Sequence, residues 1–351
     1  MIRPVCLPMA VLVVLVCLCS CARQAPPPDT TQVPPAEQGI AGEQAGAGQY
    51  TLAVIPKGTT HEFWKSVHAG AVKAARELGC EIIWKGPLKE DDRDEQIKIV
   101  EDMTSRGVSG IVLAPLDDTA LRMPVKAAAD KDVPVVIIDS ALQSEDYVSF
   151  VATDNRNGGK IAGGRMAELL GGKGKVAMLR YAEGSASTTE REAGFLEAME
   201  AAENIEVVSS NQYGGATTES AYKAAENMLA PLKGTDGTLS VDGIFCPNES
   251  TTFGMLRALQ DGRFAGTVKF IGFDSSEKLV QAMRDGELDA LVLQDPLNMG
   301  YLGVKTMIEH LQGGTVEKRI STGETLVTPQ NMDEPDMQAL LMPDFKKWLG
   351  E

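Results

Sequence analysis

From residue 50 onward, short apolar runs alternate with amphipathic stretches. The runs are "TLAVI", "EIIW", "GIVLA", "PVVIID", "SFVAT", "KVAMLR", "IEVVSS", "DGIFCP", "KFIGFD", "DALVLQ" and "TLVTP". They are rich in β-branched residues and apolar on successive positions, as strands covered on both faces require. Between them lie segments such as "FWKSVHAGAVKAARELG", where Trp64, Val67, Ala71, Ala74, Ala75 and Leu78 recur at helical spacing and Gly79 supplies a stop. Strand and helix in alternation predict an α/β fold built on parallel sheets. Right-handed crossovers place every strand C-terminus on one edge, the edge where open α/β sheets bind ligands.

About five strands precede "TDN" at 153–155 and a similar set follows, so the pattern predicts two doubly wound lobes with a boundary near Thr153. The residues that follow the strands therefore carry the candidate chemistry. In the first half these are Lys57 through Trp64, "APLDD", and Asp139 with Ser140. In the second half they are "AEGSASTTER" with Arg191, Asn248 with Glu249, Asp274, and Gln294 with Asp295. Carboxylates, amides and an arginine hydrogen-bond hydroxyl groups, and flat rings such as Phe63 and Trp64 cover apolar C–H faces. The set suits a neutral, polyhydroxylated small molecule.

The first residues change the picture of where this happens. "MIRPVCLPMAVLVVLVCLCSC" has Arg3, an apolar centre from Met9 to Leu18 and a small-residue end, the anatomy of an export signal and short for a spanning helix. Leu18, Cys19, Ser20 and Cys21 resemble a bacterial lipoprotein cleavage box, with residues 1–20 removed and Cys21 lipidated. The following residues, 21–49, are rich in Pro, Gly, Ala and Gln and read as a flexible tether. Only Cys80 and Cys246 then remain in the folded part, too few for a disulfide framework, and both are expected to be small buried thiols. The net charge of -16, from 33 basic against 49 acidic side chains, repels phosphate backbones and argues against nucleic-acid binding.

Other motifs give weaker leads. "HEFWKSVH" lacks the second histidine of HExxH, because Lys65 stands there, and His61 and His68 lie about 10 Å apart along a helix, too far for one shared zinc. No metal or cofactor is expected. "GGKIAGG" and "GGKGKV" lack the spacing of a phosphate-binding loop; the former reads as a helix start behind Asp154 and Asn155. Asp139 and Asp274 could be imagined as a glycosidase pair, yet strand-end carboxylates serve at least as often as hydroxyl acceptors or helix caps.

Taken in order, "AVIPKGTTHEFWKSVHAGAVKAARELG", "ATDNRNGGKIAG", "EREAGF", "FCPNESTTFGMLRALQ", "FIGFDSS" and "LVLQDPLNMG" resemble the periplasmic sugar-binding proteins of ABC importers. The resemblance is to the ribose-binding type, whose fold is shared with LacI-type repressors, and runs from about Tyr50 to about Pro329. It implies a type I periplasmic-binding-protein fold, two lobes joined by a three-strand hinge that close on a sugar. The N-terminal lobe would hold 50–153 plus about 295–324, and the C-terminal lobe 154–294 plus about 325–351.

Carried over residue by residue, the resemblance makes Phe63 and Trp64 the aromatic pair that sandwiches a sugar ring, with His61 in place of an amide. Asp139, Arg191, Asn248, Asp274 and Gln294 become its polar partners. Lys57 stands where ribose binders have a small hydroxyl, Ser140 where they have an arginine, and "QYGGATTES" offers no clear second-lobe aromatic, so the ligand points away from ribose itself. The implied role is a non-enzymatic, monomeric, lipid-anchored substrate-binding protein at the periplasmic or cell-surface side, working with an ABC permease. A receptor feeding a sensor kinase or chemoreceptor is the alternative, and a carbohydrate-active enzyme a distant third.

Overall fold

The computed structural model describes residues 50–350; the export signal, Cys21 and the tether lie outside the described residues. The chain runs β1 (Thr51–Ile55), α1 (Glu62–Leu78), β2 (Glu81–Trp84), α2 (Arg93–Arg106), β3 (Gly110–Leu113), α3 (Arg122–Ala129), β4 (Val135–Ile138) and β5 (Ser149–Ala152). There follow α4 (Asn155–Leu169), β6 (Lys173–Arg180), α5 (Ala186–Ala201), β7 (Asn204–Tyr213), α6 (Thr218–Leu229), β8 (Gly243–Phe245), α7 (Glu249–Asp261), β9 (Lys269–Phe273), α8 (Glu277–Arg284) and β10 (Ala290–Gln294). The chain continues through α9 (Pro296–Leu311), β11 (Arg319–Ser321), β12 (Glu324–Val327), α10 (Pro335–Leu341) and α11 (Lys346–Leu349).

Two six-stranded sheets result, in the orders β11-β5-β4-β3-β1-β2 and β12-β10-β9-β8-β6-β7. The chain passes between them three times, at 153–154, at 295 and at 322–323. The inner strands, such as β1, β3, β4, β8, β9 and β10, bury both faces, which is why their residues are apolar on successive positions, whereas the edge strands β2, β7, β11 and β12 are partly exposed. In β1, Leu52 and Val54 pack with α1 and α9, whereas Ala53 and Ile55 pack with α2 and α3. The second sheet repeats this, with Val176 and Met178 facing α4 and α5 while Ala177 and Leu179 face the opposite core. One pairing breaks the parallel expectation: β12 runs antiparallel to β10.

The last segment departs from the sequence reading. Leu341 is buried in the second-sheet core, but α11 beyond it returns to the first sheet's layer: Arg76 Nη2 donates to the Trp348 carbonyl at 2.9 Å, and Lys73 lies over the same indole. Residues from about 345 therefore lie on α1 rather than with the second lobe. Cys246 is buried as expected, whereas Cys80, just before β2, is only half-buried.

Candidate functional site

The two sheets place equivalent strand ends face to face. Asp139 follows β4 and Asp274 follows β9, the same position in each sheet order. Both adopt left-handed backbone, at φ 62° and 65°. Each backbone N–H donates to the next strand, Asp139 to Val151 at 3.1 Å and Asp274 to Val292 at 2.9 Å. Non-glycine residues rarely accept this conformation, at a cost on the order of 1–2 kcal/mol, and Asp tolerates it better than most. The matched pair turns one carboxylate from each lobe toward a shared cleft.

A cleft between them is lined by all nine residues singled out in the sequence: Lys57, His61, Phe63, Trp64, Asp139, Arg191, Asn248, Asp274 and Gln294. Glu90, Tyr181, Ser185, Ser187, Thr188 and Glu249 complete the wall. Glu90 comes from the polar loop after β2, and Tyr181 immediately follows β6. The second-lobe aromatic is thus Tyr181, one residue beyond the end of its strand, and not a residue of "QYGGATTES", whose Tyr213 is exposed.

On the first lobe, Glu90 draws three donors together. His61 Nδ1 lies 2.6 Å from Oε1, Trp64 Nε1 donates to Oε1 at 2.6 Å, and Tyr181 Oη donates across the cleft to Oε2 at 2.7 Å. Burial opposes the charge of both His61 and Glu90, but their mutual attraction and hydrogen bond outweigh it, holding the histidine up at about 9 and the glutamate down at about 2. Lys57, 4% exposed, pairs with Asp139 Oδ2 at 2.7 Å and donates to Ser187 Oγ at 3.0 Å and Ser185 Oγ at 3.4 Å. All three ammonium hydrogens thus have protein acceptors.

The ring pair differs from the sandwich that the resemblance implies. Phe63 and Trp64 touch each other edge to face, with centroids 4.9 Å apart and planes at 89°. Adjacent perpendicular rings cannot clasp both faces of one flat ligand; together they make one corner of the wall. Trp64, only 2% exposed, also packs with Val67, Ala71 and Ala74, so it is core and cleft lining at once.

On the second lobe, Arg191 enters from α5 and is 2% exposed. Its Nε donates to Asn155 Oδ1 at 2.8 Å, its Nη1 donates to the Pro247 carbonyl at 3.0 Å and lies 3.8 Å from Asp274 Oδ2, and its guanidinium lies over the Phe273 ring. Gln294 Nε2 donates to Asp274 Oδ1 at 2.7 Å. Burial pushes the Asp274 carboxyl above its ordinary range, against the pull of Arg191 and the hydrogen bond from Gln294. Among the described residues, two buried atoms here find no partner: Arg191 Nη2, a donor, and Gln294 Oε1, an acceptor. Such atoms are costly unless something else satisfies them. Asn248 is differently engaged, since its Oδ1 caps α7 by accepting from Thr251 N and Oγ1, and its Nδ2 donates to Ser250.

A two-lobed α/β fold with a polar, aromatic-cornered cleft between equivalent strand ends defines a ligand-binding protein of the hinged type. The match to known proteins is specific: residues 52–315 fit the family described as periplasmic binding protein domain, and the chain belongs to that family. It is 31% identical to the ribose import binding protein of Haemophilus influenzae over 80% of this chain and 92% of that one. It is 28% identical to the D-allose-binding periplasmic protein of Escherichia coli, covering 75% and 85% of the two chains. An ABC transporter solute-binding protein of Agrobacterium vitis with bound D-fucose superposes with a TM-score of 0.78 at 36% identity, covering 83% of this chain and 99% of that one. A carbohydrate transporter solute-binding protein of Agrobacterium radiobacter in complex with D-arabinose matches with a TM-score of 0.78 at 32% identity, over 83% and 98%.

Proposed function

We propose that this chain captures one small neutral sugar or polyol between its lobes and presents the closed form to an ABC permease. The observation that carries this reading is the pair of buried, partnerless atoms in the cleft, Arg191 Nη2 and Gln294 Oε1. A hydroxyl both donates and accepts, so a polyol can satisfy the two together, with the carboxylates of Asp139 and Asp274 as further acceptors. Phe63, Trp64 and Tyr181 supply apolar surface for C–H faces. Lys57 and Asn248 act here chiefly as positioning groups, because their polar atoms already serve protein partners. The ligands named for the relatives, ribose, allose, arabinose and fucose, are of the same chemical class.

In this reading the protein is a monomeric binding protein and not an enzyme, held on the periplasmic or outer face by lipid on Cys21, with the segments on either side of 153, 295 and 322–323 acting as the hinge. Ligand contributes by contacting the closed state better than the open one. A thermal-shift screen of D-ribose, D-allose, D-arabinose and D-fucose tests it. A bound sugar at a hundred times its dissociation constant should add about 2.7 kcal/mol of stability, and the sugar should be recovered unchanged. A panel of pentoses, hexoses and polyols that leaves the melting temperature where it was would sink the reading.

A further inference from the structure

The N-terminus of α1 is capped from the opposite lobe. Its own N-cap residue, His61, makes no side-chain capping bond. Instead the first-turn N–H groups of Glu62 and Phe63 donate to Oε1 and Oε2 of Glu249, at 3.4 and 3.2 Å. Helix caps are ordinarily made by the residue just before the helix; here the acceptor lies 186 positions away, on the first turn of α7. A helix start carries unsatisfied N–H groups and partial positive charge. Lobe closure brings a carboxyl group onto it, and opening withdraws that group while the rest of α1 stays with its own sheet.

We propose that Glu249 is a closure-coupled cap, a positioning residue that fixes the start of α1, and with it Phe63 and Trp64, only when the lobes meet, and that it ties closure to proton uptake. This rests on the binding reading only in that closure is what captures a ligand. The groups facing Glu249 are His61 and the helix start from the first lobe, and Asp274 from its own lobe. Burial pushes the Glu249 carboxyl up to about 7; Asp274 adds to this, while His61 and the N–H groups of Phe63 and Glu62 oppose it. Asp274 is raised as well and pulls in the same direction. His61, held at about 9, stays charged through the neutral range.

The sign follows from linkage. An open cleft returns Glu249 to water and to its ordinary value of 4.5, whereas the closed cleft holds its proton up to about 7. Closing therefore takes up a proton between those values, so closure weakens as pH rises from 4.5 to about 7 and is strongest on the acid side of that window.

Small-angle scattering from the ligand-free full chain, at about pH 6 and about pH 8, reads this directly. The wild type should be more compact at the lower pH. Glu249→Gln keeps a neutral acceptor and should be nearly as compact at the higher pH as at the lower. Glu249→Ala removes the cap and should lower the closed-to-open ratio roughly two- to thirtyfold at the lower pH, the range spanned by measured caps. Circular dichroism establishes that each variant is folded, and Glu249→Gln decides the matter if the alanine variant is not. A wild type of equal dimensions at both pH values, a Glu249→Gln protein with the full wild-type response, or a Glu249→Ala protein as compact as wild type would each overturn the proposal. No sugar is added, so the outcome is independent of the thermal-shift screen.

Discussion

Glu90 serves three donors that no sequence pattern brings together, His61, Trp64 and Tyr181. Glu90→Gln leaves His61 buried beside a neutral amide, and removing one partner of a buried ion pair costs about 3–5 kcal/mol. The pH dependence has a definite shape. Glu90, depressed to about 2, contributes stability above its ordinary 4.5 that is lost as pH falls through 2, and His61, raised to about 9, contributes stability below its ordinary 6.5 that is lost as pH rises through 9. The gap in melting temperature between wild type and Glu90→Gln should be widest between those ordinary values and narrow on either side; a gap constant with pH would contradict the pairing. Asp274→Ala acts on binding instead. It removes the acceptor for Gln294 Nε2 and for ligand hydroxyls, and calorimetry should read a ten- to hundredfold weaker affinity, about 1.5–3 kcal/mol, with an unchanged value ruling out its role. Nine wall residues were legible because each follows an apolar run or sits in a motif. Tyr181 falls between the apolar run that ends at Arg180 and the polar stretch that starts at Ala182, so neither pattern includes it, and "KGPLKEDD" has no periodicity to anchor Glu90.

Each lobe packs helices through backbone contact beside the cleft, α1 with α9 in the first and α4 with α5 in the second, and these contacts set where the site residues sit. A Cβ on Gly70 would lie 1.8 Å from the Leu297 carbonyl oxygen, and one on Gly300 would lie 2.0 Å from that of Val67, so α1 and α9 meet through glycine. In the second lobe, Gly159 of α4 and Gly194 of α5 do the same against Arg191 and Arg156. The run "GGKIAGG" is therefore a packing surface, and its phosphate-like look has a structural cause. The sequence did show the helix start, since Asp154 caps α4 by accepting from Asn157 N. It could not show which glycines face a partner helix, because that depends on how α4 and α5 cross. Gly159→Ala presses directly on the backbone of Arg191. Overpacking of this kind costs about 1–3 kcal/mol or more, and here it should also weaken ligand affinity through the displaced guanidinium. Gly164→Ala, on the same helix with open space around its Cβ, should leave both melting temperature and affinity near wild type. Equal effects of the two substitutions would remove the packing argument. Strand β11 escaped the sequence reading for a related reason: three residues, "RIS", are too short to show a period, and only the pairing with β5 makes them a strand.

At the scale of the molecule, two similar halves were legible because every strand buried on both faces writes its pattern twice, and the fold follows from repetition more than from any one motif. The path of the chain after β12 was not, since a short amphipathic segment can lie on either lobe. Leu341 sits in the second-lobe core, with its carbonyl accepting from Ser275 Oγ at 3.2 Å, and Trp348 lies against Lys73 and Arg76 of α1. Residues 342–347 therefore bridge the lobes in addition to the three hinge passages. They run beside a small cavity whose wall includes Phe63, Asp274 and Gln294, side chains that also line the ligand cleft. A strap anchored on both lobes favours whichever state keeps its two anchors together, and in the closed state described here both are engaged. Removing residues 343–351 leaves Leu341 and the second-lobe core in place while freeing α1, so the melting temperature should change little. The lost contacts include one exposed hydrogen bond and two cation–π pairs at the edge of reach, worth about 1–2 kcal/mol together. Most of such a difference shows in the dissociation rate, so stopped-flow fluorescence should record ligand release roughly fivefold faster with association nearly unchanged. Release at the wild-type rate would mean that α11 rests on α1 without holding the lobes together.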